Sequence, residues 1–158
     1  MQASLLRELR CRRFSVRARW ETLLRAEPVA TPLGLPDALI HLIDSTLEEI
    51  FSTLEAGPNR SGACNHWQTT QETPVCPCGR NPFLAYFAAA EQSMREGLIL
   101  AQAASAPLDP VERDASLDEL NAALEEISRR EIESFCGVCQ FRRVALPSPP
   151  ELVASNRG

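Results

Sequence analysis

Apolar residues recur three and four positions apart along most of this chain, which is the spacing that places them on one face of an α-helix. No window alternates between apolar and polar residues in the way that a half-buried strand does. The pattern therefore predicts an all-α fold, a bundle of three to four helices. The predicted helices cover residues 4–26, 36–56, 82–104 and 117–136.

Residues with strong positional preferences mark the ends of these helices. Asn81 is a good N-cap and Pro82 a good first-turn residue, so the third helix is expected to begin there. A capping box that opens at Ser116 predicts the start of the fourth helix. Gly57 ends the second helix, and Gly137 stands where a helix-ending glycine belongs.

The third and fourth helices are expected to pair as an antiparallel hairpin. The loop at 105–115 is long enough for the chain to reverse, and at about 1.5 Å per residue each helix is on the order of 30 Å long. Because the two helices have similar predicted lengths, the fourth helix should end level with the start of the third. The start of the third helix and the end of the fourth should therefore be neighbours.

Three short pairs of metal-ligand residues lie near the helix ends. One pair precedes the third helix and another ends the fourth, so the hairpin would bring these two together at one pole. The remaining pair follows the second helix, and it would reach the same pole if that helix packed antiparallel to the third. The pairs are Cys76 with Cys78, Cys136 with Cys139, and Cys64 with His66.

Four cysteines in two closely spaced pairs supply the ligands of a closed tetrahedral zinc site. An iron–sulfur cluster, which also takes four thiolates, is the alternative cofactor. Reduced, buried thiols and disulfides are the readings without a metal, and the chain has an even number of six Cys. The simplest hypothesis is one zinc ion on the four hairpin cysteines. Cys64 and His66 would then replace one ligand, hold a second ion or take no part.

Composition places the chain in a broad class. With 158 residues, of which 44% are hydrophobic and 23% charged, it has the size and composition of one globular domain. No stretch reaches the roughly 18 apolar residues of a membrane span, and charges interrupt the N-terminus where a signal peptide is apolar. We therefore expect a cytoplasmic protein without a membrane segment, in a compartment that keeps thiols reduced.

Charge is distributed unevenly along the chain. Residues 1–27 carry seven Arg against three Glu, a balance of +4, whereas residues 28–158 carry nine Arg against 18 acidic residues, a balance of −9. The acidic body argues against a general nucleic-acid binder. The basic segment is expected to dock on that body through Trp20 and Leu23 or Leu24. Contact with another chain or with nucleic acid is the alternative.

These observations predict a basic N-terminal helix at 1–27, a helical metal-binding domain at 28–146 and a tail at 147–158. The function that they favour is that of a non-catalytic, zinc-stabilised regulatory or interaction protein, whose partner is another protein or a second copy. One alternative is an iron–sulfur or thiol-based redox sensor. Another is a zinc-dependent enzyme with an open coordination position beside His66 and an acid such as Glu72. The sequence contains no Gly-rich phosphate loop, nucleophile elbow or zinc-protease motif.

Overall fold

The computed structural model describes residues 1–28, 34–57, 80–105 and 108–139. Every regular element in these ranges is helical, which confirms the predicted all-α fold for the described part of the chain. A short 3₁₀ turn, Ile40–Leu42, joins two of the helices. The helices are α1 (Ala3–Cys11), α2 (Arg13–Ala26), α3 (Pro36–Leu39), α4 (Ile43–Ala56), α5 (Pro82–Ala104) and α6 (Pro110–Val138).

The start of α5 and the end of α4 lie where the sequence predicts them. The Asn81 side chain accepts a hydrogen bond of 3.0 Å from the backbone nitrogen of Phe83, so it caps α5. Gly57 follows α4 with a φ of 72°, a conformation that favours glycine. Local capping chemistry therefore sets both boundaries.

The predicted single helix over 4–26 is instead two helices with a break at Arg12. The backbone nitrogen of Arg12 donates to the carbonyl of Leu9, 3.0 Å away, so the last turn of α1 tightens. Arg12 itself has φ −90° and ψ 4°, outside the helical range. The break falls at a pair of arginines that interrupts the apolar stripe, and both side chains reach acidic partners on the surface.

The predicted start of α6 at Leu117 is wrong, because the helix begins seven residues earlier at Pro110. Asp109 caps it by accepting a hydrogen bond of 3.0 Å from the backbone nitrogen of Val111. Ser116 is buried inside the helix and donates to the carbonyl of Arg113, so it is not a cap. Asp followed by Pro is itself a start signal, and here it precedes the capping box.

The predicted role of Gly137 as a helix-ending glycine is also wrong. The helix continues through Val138, and Gly137 does not have the positive φ that such a position requires. The chain leaves helical geometry at Cys139, which has φ −69° and ψ 114°. The last turn of α6 therefore includes Cys136.

Helix α5 packs against α1, α2 and α6, and α4 packs against the same three helices. Their apolar faces form one cluster of buried side chains. Burial of each large aliphatic or aromatic side chain contributes about 1.5–3 kcal/mol. The largest fully buried side chains are Trp20, Tyr86, Phe51, Leu5, Leu9, Ile43, Leu47, Ile50, Met94, Leu98, Leu120 and Ile127.

Hydrogen bonds along α5 and α6 show that the two helices run in opposite directions, as predicted. Near the end of α5, the Gln102 side chain donates to the hydroxyl of Ser116 over 2.8 Å. Just before the start of α5, the Asn81 amide donates to the carbonyl of Ile132 over 3.1 Å. The start of α5 therefore lies beside the end of α6.

Helix α4 runs in the same direction as α5, which contradicts the expectation that the second helix packs antiparallel to the third. Near the start of both helices, the hydroxyls of Thr46 and Tyr86 are 2.9 Å apart. Toward the other end, Glu55 pairs with Arg10 of α1, and the neighbouring Leu9 lies against Gly97 of α5. The end of α4 therefore lies away from the start of α5.

The basic N-terminal segment docks on the rest of the chain, which is the first of its two predicted interpretations. Trp20 is fully buried, and its indole nitrogen donates to the carbonyl of Tyr86 over 3.1 Å. Leu24 is buried and Leu23 packs against the core. Surface pairs surround this contact, and hydrogen bonds from arginines on α2 lower the pKa of Asp44. Exposed pairs contribute little each, so the apolar anchors dominate.

Tyr86 is the only tyrosine of the chain, and burial raises its pKa well above the usual range. In an unfolded chain the tyrosine side chain ionises near a pH of about 10. The folded protein therefore loses stability relative to the unfolded chain as the pH rises above that value. We expect tyrosinate absorbance and loss of helical circular dichroism to appear together in an alkaline titration. Tyrosinate that forms while the helical signal is intact would contradict the buried position.

Gly97 allows α5 to approach the N-terminal helices closely. A Cβ atom at this position would lie 2.5 Å from Cγ2 of Val16 and 3.4 Å from Cδ1 of Leu9. Val16 is β-branched and stiff, so Gly97→Ala should cost about 1–3 kcal/mol, more than the gain of about 1 kcal/mol in helix propensity. Urea denaturation should show a lower free energy of unfolding.

Two variants control for the intrinsic effect of alanine. Gly137 is also helical but has no atom within 4 Å of its Cβ position, so Gly137→Ala should raise stability by up to about 1 kcal/mol. In a Val16→Ala background, Gly97→Ala should cost less than in the wild type, because the clash is gone. Equal stabilisation by both glycine substitutions would argue against the close approach.

Candidate metal centre

The start of α5 meets the end of α6 at the pole where the sequence predicts a metal site. Asn81 joins the two helices: its oxygen caps α5, and its amide nitrogen donates to the carbonyl of Ile132 in α6. The side chain is 4% exposed, so both of its polar atoms are satisfied away from water. Phe83 and Phe135 pack edge to face beside it, with ring centroids 6.0 Å apart.

Cys136 is the ligand candidate that the structure places most fully. It is half-buried in the last turn of α6 and packs against the core. The amide nitrogen of Asn81 lies 3.5 Å from its sulfur, within hydrogen-bond distance for a sulfur acceptor. The prediction that this cysteine lies beside the start of α5 is therefore confirmed.

Cys139 is the residue at which α6 ends, and it is also half-buried. Two thiols at one helix terminus are half of a tetrahedral thiolate site, which requires four ligands. Within the ranges that the structure describes, no group of three His, Cys, Asp or Glu side chains is close enough together to hold a metal ion. A tetrahedral site on these two thiols would therefore need ligands from outside the described ranges.

The other four predicted ligands lie outside the described residues: Cys64, His66, Cys76 and Cys78. These residues lie at different distances along the chain from the nearest described residue. Cys78 is three residues from Asn81, and three residues of chain span at most about 11 Å. Cys64 is seven residues from Gly57. Gly57 directly follows α4, at the end of that helix that lies away from the start of α5.

The direction of α4 removes the argument that placed Cys64 and His66 at the metal site. About 16 residues of α5, on the order of 24 Å, separate the level of Gly97 from Asn81. Seven residues of fully extended chain span at most about 25 Å. From the end of α4, Cys64 would therefore need an almost straight path to reach the site.

The contact of Asn81 with Cys136 was not predicted from the sequence, where Asn81 was identified only as the N-cap of a helix. A signal was present. In an antiparallel hairpin of matched helices, the residue before the third helix stands opposite the last turn of the fourth, where Cys136 lies. An amide side chain can donate through its nitrogen while its oxygen caps the helix, whereas an ionised Asp cap has no donor and a Ser cap has only its short hydroxyl.

Two further residues whose side chains could bind a metal lie away from this site. Cys11 is exposed on α1, and His41 is exposed in the 3₁₀ turn before α4.

No helix in the described ranges is both long and apolar enough to cross a membrane. Comparison with protein-family models, curated proteins and solved structures gave no significant match to this chain.

Proposed function

We propose that this chain is a zinc-stabilised, non-catalytic protein of the regulatory or interaction class, with one ion bound by Cys76, Cys78, Cys136 and Cys139. The observation that carries the proposal is the contact between Cys136 and Asn81. It brings a half-buried thiol next to the point at which the chain enters α5, only three residues after Cys78.

The chemistry of the four side chains supports zinc as the ion. Four thiolates at about 2.3 Å close a tetrahedral site and leave no position for a substrate or water. A closed site of this kind contributes to folding and does not activate a nucleophile. For this reason a structural role is preferred to that of a zinc-dependent enzyme.

The position of the site supports a stabilising role for the metal. Helices α5 and α6 are joined by a short connection at one end, and the proposed ion would join them at the other. Among the described residues, Asn81 and the ring contact between Phe83 and Phe135 already join these two helix ends, and an ion would add to them. Binding to the folded chain alone would raise its stability by mass action.

Removal of zinc should lower thermal stability. At a free zinc concentration about 100 times the dissociation constant, the linkage amounts to about 2.7 kcal/mol, or about 5–10 °C for a domain of this size. Elemental analysis should find one zinc per chain, and a strong chelator should lower the melting temperature by about that amount.

A pair of cysteine variants locates the effect. Cys136→Ser should lose zinc and the response to chelator, whereas Cys11→Ser, on an exposed face of α1, should keep both. A melting curve that is unchanged by chelator would refute the proposal. Brown protein with visible charge-transfer absorption, purified without oxygen, would favour an iron–sulfur cluster on the same cysteines.

A further inference from the structure

We infer that Asn81 is a positioning residue of the proposed metal centre, which holds Cys136 through an amide hydrogen bond to its sulfur. This inference rests on the proposed function and adds to it a residue that is not itself a ligand. The observation behind it is the distance of 3.5 Å between the Asn81 amide nitrogen and the Cys136 sulfur.

The contact has the chemistry of an outer interaction around a metal thiolate. A neutral thiol accepts hydrogen bonds weakly, whereas a thiolate carries a full charge and accepts them well. Hydrogen bonds of this kind orient ligands and tune the metal that they hold.

The geometry around Asn81 makes the donor rigid. Its oxygen accepts from the backbone of Phe83, and its nitrogen also donates to the carbonyl of Ile132. The side chain is 4% exposed, so water does not compete for these atoms. Contacts with both helices thus hold the amide in place, and the amide nitrogen then points at the Cys136 sulfur from a fixed direction.

Capping and donation can be separated by substitution. Asn81→Ser and Asn81→Asp both retain a good cap for α5, but neither carries an amide nitrogen that can reach the sulfur. Asp109→Ser is the matched control, because Asp109 caps α6 at the far end of the same hairpin. It exchanges one good cap for another at a distance from Cys136.

Chelator competition on the full chain should show zinc affinity lowered about 10- to 100-fold by Asn81→Ser and Asn81→Asp. Asp109→Ser should leave the affinity unchanged. In cobalt-substituted protein, the thiolate-to-cobalt charge-transfer band should shift in the Asn81 variants and stay in place in the control. Wild-type affinity in both folded Asn81 variants would overturn the inference.

A second measurement does not depend on metal or on the stability of the Asn81 variants. In ¹⁵N spectra of the full chain freed of metal with chelator, Cys136→Ala should shift the side-chain amide resonances of Asn81, and Cys11→Ala, on the exposed surface of α1, should not. Asn81 amide resonances that do not shift in Cys136→Ala would show that the amide and the sulfur are not in contact. If the wild type binds no zinc, the proposed function fails and the positioning role fails with it, while these spectra still decide whether the amide meets the sulfur.

Discussion

The antiparallel contact between α5 and α6 determines which residues can meet at each end of this protein. Asn81 is fixed to the carbonyl of Ile132 at one end, and Gln102 is fixed to Ser116 at the other. Because the helices are joined by a short connection, this register leaves little freedom. Cys136 therefore has to lie beside the start of α5, and the proposed metal centre depends on that placement.

Predictions from the sequence succeeded where a single local signal decides the bounds of a helix. The bounds of α5 follow from a strong cap at Asn81 and an uninterrupted apolar stripe, so local information was sufficient. The start of α6 was misjudged because two capping signals compete there, and the earlier one at Asp109 and Pro110 prevails. Burial of Ser116 within the hairpin then removes it from the role of cap.

The direction of α4 could not be predicted from periodicity, because an apolar stripe has the same spacing in either direction. More than 20 residues separate α4 from α5, and a connection of that length permits both arrangements. Only contacts distant in sequence, such as Thr46 with Tyr86, decide the outcome. The position of Cys136 beside the start of α5 could accordingly be predicted, because one hairpin determines it. The place of Cys64 depends on a second helix, and Cys64 lies outside the described residues.

The close fit of the N-terminal helices against Gly97 has a consequence for the order in which the protein acquires its structure during synthesis. Trp20 and Val16 find their partners on α5, more than 60 residues further along the chain. Chains are made from the N-terminus, so this segment leaves the ribosome long before the surface it needs exists. We expect the seven arginines of this segment to keep it solvated in that interval.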